Sequence, residues 1–121
     1  MKYKHQKLAN GLILIGEINE SAKSTAVGFF VKTGSRDEIQ GINGVSHFLE
    51  HMLFKGTESL NAFEVNQAFD MTGAQFNAFT SEENTVFYAA VLPEYLTEVT
   101  RLWAQLMRPA LRDEDFNIEK N

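Results

Sequence analysis

Two histidines and a glutamate stand in the pattern His47-Phe48-Leu49-Glu50-His51, and on a helix these three side chains share one region of surface. At 100° per residue, His47 and His51 lie roughly 40° apart around the axis and one turn along it. Two imidazole nitrogens at that spacing can bind one divalent metal ion, and zinc favours such ligands. Glu50 follows His47 by three residues, so its carboxylate can reach a water on that ion. Zinc lowers the pKa of a coordinated water toward ~7, and a neighbouring carboxylate can accept the proton. The set is therefore two ligands and a base, one ligand short of a complete catalytic site. A plainer reading is a solvated helix that carries these groups for solubility. Phe48, Leu49, Met52, Leu53 and Phe54 argue against it, because they set apolar groups around nearly the whole circumference and predict a largely buried helix.

The elements that must position these residues follow from local signals. Leu8-Ala9-Asn10-Gly11-Leu12 reads as the end of a strand, an Asn-Gly turn and the start of a second strand that runs to Ile18. Ser24 to Thr33, with Val27, Phe29, Phe30 and Val31, reads as a third strand, and Gly34 to Gly44 as a loop. The motif helix is expected from Val45 to Phe54, ending at Gly56 and Thr57. Ser59 or Asn61 can cap a second helix that runs to Met71 and stops at Gly73. Ala74 to Phe79 and Thr85 to Leu92 form a hairpin around residues 81–84. Pro93 then opens a long helix with a stripe of Leu96, Val99, Leu102, Trp103, Leu106 and Met107, and Pro109 breaks it. Asp113-Glu114-Asp115 is the acidic first turn of a last helix that is still running at Asn121. The expected class is α+β: an antiparallel or mixed sheet with helices packed on one face. Residues 1–121 read as a single unit that stops inside a helix and is therefore incomplete.

Composition narrows the functions. At 121 residues, 44% apolar and 22% charged, the chain has the balance of one globular domain with a real core. Ten phenylalanines suggest a packed interior or an interface. A net charge of −5 with no basic patch argues against nucleic-acid binding. The absence of cysteine excludes thiolate ligands, a cysteine nucleophile and a disulfide framework. No signal-peptide core and no apolar run approaching ~18 residues is present, so no membrane span is expected. The chain reads as soluble, with the cytoplasm weakly favoured. His5 is expected on a strand surface.

The motif also resembles a family. H-x-x-E-H is the inverzincin signature, and Gly44-Val45-Ser46-His47-Phe48-Leu49-Glu50-His51-Met52-Leu53-Phe54-Lys55-Gly56-Thr57 looks like the pitrilysin-type zinc metallopeptidases. That group includes insulin-degrading enzyme and the mitochondrial processing peptidases. Gly73-Ala74-Gln75-Phe76-Asn77-Ala78-Phe79-Thr80-Ser81, with Thr85 and Tyr88, is similar to the family's sheet-edge segment. The resemblance runs from about Leu8 to the end of the chain. It implies a Zn²⁺-dependent endopeptidase in which His47 and His51 ligate the metal and Glu50 activates water. It further implies that Asn77, Ala78 and Phe79 lie on an edge strand where an extended peptide adds as a further strand. Asn77 could hydrogen-bond that peptide, or serve only as a turn or capping amide.

The family's third ligand is a glutamate roughly 75 residues after the second histidine, which falls about five residues beyond Asn121. No residue of this chain takes that role. Glu119, two turns earlier on the same helix, is either an acid supporting the site or an ordinary solvated charge. The resemblance implies a peptide or unfolded polypeptide as substrate, and a homologous second unit, in the same chain or another subunit, to enclose it. The chain alone is expected to be inactive. The alternative is a non-catalytic interaction or regulatory subunit of a processing-peptidase-like assembly.

Overall fold

A computed structural model describes residues 2–41 and 43–120 of the chain, with the side chains of 119 and 120 excepted. The first hairpin pairs β1 (Lys2–Lys7) with β2 (Ile13–Ile18), antiparallel, around a turn in which Gly11 has φ 92°. The Asn10 side chain accepts from the Leu12 amide there. The first strand thus lies before Leu8 rather than ending at the Asn-Gly pair. Its sequence hid it: both faces of β1 are exposed and carry lysine and glutamine, so no apolar alternation marks it. His5 is on this strand and exposed.

Next come β3 (Thr25–Val31), a 3₁₀ turn at Ser35–Asp37, and the motif helix α1 (Val45–Leu53). Helix α2 (Ala62–Thr72) starts at Asn61, whose side chain accepts from the Glu64 amide at 2.8 Å while Glu64 accepts from the Asn61 amide at 3.0 Å. It ends at Gly73 in the left-handed region, φ 71°. Strands β4 (Gln75–Thr80) and β5 (Thr85–Val91) form the second hairpin. Pro93 opens a 3₁₀ turn, Pro93–Tyr95, and the α-helix begins only at Leu96: α3 (Leu96–Leu106). The final helix is α4 (Asp113–Lys120).

All the pairings are antiparallel, but the described strands make two sheets rather than one. β1 and β2 stand by themselves, and a three-stranded sheet has the order β3-β5-β4, which leaves β4 at an edge. In that sheet Phe76, Ala78 and Thr80 share a face with Phe87, Ala89 and Val91, and the helices cover this face. α3 packs on β3 and β5, α2 packs on α3, and α1 reaches β4 on one side and α4 on the other. Trp103 lies at the centre, fully buried, with the rings of Phe54, Phe69, Phe76 and Phe87 at 5.0–6.4 Å. Among the described residues no helix is long and apolar enough to cross a membrane.

Candidate metal centre

Helix α1 is started from a distance. Gly44 precedes it at φ 89°, and the Glu38 carboxylate accepts from the Gly44 and Ser46 amides, each at 2.8 Å. These amides would otherwise lack partners in the first turn. Both hydrogen bonds favour the charged form and hold the Glu38 carboxyl below its ordinary range, the Ser46 amide most and then that of Gly44. At its far end α1 runs into a tight turn where Gly56, φ 113°, passes so close to the Leu60 carbonyl that a β-carbon would sit 2.1 Å from it. That turn anchors α4: Arg112 donates to the Thr57 carbonyl at 2.5 Å, and the Ala110 amide to the Gly56 carbonyl at 3.0 Å. Phe48 and Phe116 meet edge to face at 5.2 Å, so α1 and α4 are held together at both levels.

On this framework the donor atoms of His47, Glu50 and His51 all lie within 4.8 Å of one another. The two imidazole rings are 4.4 Å apart, and His47 Nδ1 is 4.0 Å from Glu50 Oε2. Donors sharing one tetrahedral ion with bonds of about 2.1 Å stand roughly 3.4 Å apart, a distance that small side-chain rotations reach. Two imidazole nitrogens are donors that zinc accepts, and the Glu50 carboxylate stands beside them within reach of a coordinated water. The cluster fits a metal ion.

The expected burial of α1 needs correction. Only Glu50 and Met52 are buried, whereas His47 is two-thirds exposed and Leu49 is exposed too. The helix packs on β4, on α4 and on the turn at Ser35–Asp37, and the side chains of His47, Leu49 and His51 remain exposed, so apolar residues all around it do not translate into burial all around it. Of the three motif residues Glu50 alone is buried, 7% exposed, and it accepts from the Thr80 hydroxyl at 2.5 Å.

An open cleft of about 300 Å³ runs beside the cluster, lined by Glu50, His51, Phe54, Lys55, Ala62, Asn66, Asn77 and Ala78. Asn77 and Ala78 belong to the edge strand β4 and so share the cleft with the base and one histidine. The Asn77 side chain accepts from the Ala78 amide at 2.8 Å. Phe79 turns to the sheet's other face, 6.1 Å from the Tyr88 ring, and does not line the cleft. Glu119 lies on α4 with its side chain outside the described residues. Thr80 and Glu38 were not singled out from the sequence. A signal for Thr80 existed: strand alternation puts this polar residue on the inward face with Phe76 and Ala78.

Residues 14–121 match the family described as Insulinase (Peptidase family M16). A protein of Bacillus subtilis named an uncharacterized zinc protease is 43% identical over 119 residues, 98% of this chain and 29% of that protein. A similarly named protein of Mycobacterium tuberculosis is 45% identical over 115 residues, 94% of this chain and 26% of its own. The crystal structure of a protease from Helicobacter pylori matches with a TM-score of 0.91 at 30% identity, over 98% of this chain and 29% of that one. The chain spans less than a third of the length of each of these relatives. With its matched segment running through the motif helix, the edge strand and α4, the chain belongs to the insulinase family of peptidases, family M16.

Proposed function

We propose that the full-length protein is a zinc-dependent endopeptidase acting on peptides or unfolded polypeptide segments. The observation that carries this reading is the gathering of His47, Glu50 and His51 within 4.8 Å, beside a cleft whose wall is an edge strand. Relatives named zinc proteases support the choice of metal.

His47 and His51 would hold the zinc, and the third ligand would be the glutamate expected beyond Asn121. When bound, the ion supplies Lewis acidity for the scissile carbonyl and lowers the pKa of water. Glu50 takes the proton of the attacking water and returns it to the leaving amine. Its burial beside His51 keeps the carboxylate next to the reacting atoms. An extended peptide would pair with β4 along Asn77 and Ala78 through main-chain groups. In doing so its carbonyl competes with the Asn77 side chain for the Ala78 amide, so Asn77 must swing aside.

With two imidazoles and no third ligand, the 121-residue chain alone would be inactive. A homologous second unit is the proposed means of enclosing substrate. The intact H-x-x-E-H pattern weighs against the non-catalytic subunit. The test is Glu50→Gln in the full-length protein, which should keep zinc binding and lower the cleavage of an unfolded polypeptide by about 10²–10⁴-fold. Undiminished cleavage would sink the mechanism.

A further inference from the structure

Glu50 is the only buried charged side chain among the described residues. A carboxylate removed from water needs a donor, and a general base also needs a fixed direction. One group meets both demands: the Thr80 hydroxyl, 2.5 Å from Oε2. Thr80 is the last residue of β4, two positions past Ala78, and it faces inward toward α1. Its backbone is itself held. Thr80 pairs with Thr85 in the register, the next residue's amide donates to the Asn84 carbonyl at 2.7 Å, and the Ser81 carbonyl accepts from the Ser35 amide at 3.0 Å.

We infer that Thr80 is a positioning residue for the proposed reaction, its hydroxyl fixing the Glu50 carboxylate through Oε2, the oxygen that also stands 4.0 Å from His47 Nδ1. This rests on the endopeptidase reading and adds to it a mechanical link. The strand that would receive the peptide is the strand that orients the base. A glutamate has three side-chain torsions, and a hydrogen bond to one oxygen removes most of the orientations that point the carboxylate away from the cleft. A threonine that served only to satisfy a buried charge would matter for folding but not for turnover, and the two roles separate by experiment.

In the full-length protein, Thr80→Val keeps the shape and removes the hydroxyl, and Thr80→Ser keeps the hydroxyl. Zinc affinity is measured by calorimetric titration, and kcat and KM with an internally quenched peptide that the wild type cleaves. The Glu50 carboxyl resonance is followed in metal-free protein labelled with ¹³C-glutamate and assigned by its loss in Glu50→Gln. For Thr80→Val the expected result is unchanged zinc affinity and KM, kcat lowered about ten- to a hundredfold, and a shifted Glu50 resonance. Thr80→Ser should restore kcat and the resonance. The proposal is overturned if Thr80→Val turns over like the wild type, or if both variants lose zinc affinity and kcat together. An inert Glu50→Gln beside an unimpaired Thr80→Val overturns this proposal alone. Cleavage surviving in Glu50→Gln overturns the base assignment and this proposal with it.

Discussion

Glu38 performs for α1 what a capping residue normally does from the adjacent position, but it reaches back from six and eight residues before the amides it serves. Its folded pKa is lowered because the Ser46 and Gly44 amides stabilise the carboxylate. The unfolded value, ~4.3, is therefore the higher one. The resulting stabilisation is complete above the unfolded value and is lost as the pH falls through the folded one. Glu38→Gln should melt below the wild type at neutral pH, with the two melting temperatures converging as the pH is lowered into the acid range. Circular dichroism melts across pH would show it; a gap that stays constant with pH would contradict the assignment. Residues of this kind were poorly legible. The His47–Glu50–His51 face follows from helical spacing alone, whereas Glu38 and Thr80 act across 6 and 30 residues through bonds that only the fold creates. No local pattern announces them, apart from the inward phase of Thr80 on its strand.

Among the elements, the segment Gly34–Glu38 joins parts that the sequence leaves far apart. The Ser35 and Arg36 amides donate to the Ser81 and Glu82 carbonyls at 3.0 and 2.9 Å, and the Arg36 side chain pairs with Glu82 and Glu83. Gly34 permits this approach. Its backbone is extended, and its role is space: a β-carbon there would stand 2.2 Å from the Ser81 carbonyl oxygen. Gly34→Ala should cost about 1–3 kcal/mol, because the clashing atoms, the Ser81 carbonyl oxygen and the carbonyl group of Glu82, all belong to backbone and cannot give way cheaply. Urea denaturation would measure it, and a loss below about 0.5 kcal/mol would mean that the loop accommodates the methyl group. Helix ends were the best-read elements, since Asn61 with Glu64 and Gly73 act through their immediate neighbours. The start of α3 was misplaced by a turn because Pro93 suits a 3₁₀ turn as well as an α-helix. The division into two sheets was not legible either, since pairing partners are set by tertiary packing rather than by any strand's own residues.

At the scale of the molecule, apolar surface is unevenly placed. Ile13, Leu14 and Ile15 are consecutive on β2 and all exposed, Ile15 at 77%, so both faces of the hairpin present hydrocarbon. A strand of this kind is normally covered on both sides. Phe30 on β3 and Phe63 and Met71 on α2 add further exposed apolar groups. Patches of this type drive association. The 121-residue chain should therefore self-associate with rising concentration in sedimentation experiments, and Ile15→Lys should weaken that association. A chain that stays monomeric over micromolar to millimolar concentrations would show that these faces are harmless in water.

The segment from Gly34 to Ser46 has one more consequence. It grips the β4–β5 turn with its first residues and the start of α1 with Glu38, so the helix bearing the histidines and the strand bearing Thr80 hang from the same short stretch of chain. Opening of the site should then be a single cooperative event rather than two independent ones, and hydrogen exchange should give the amides of Ser35, Arg36, Gly44 and Ser46 one common protection free energy.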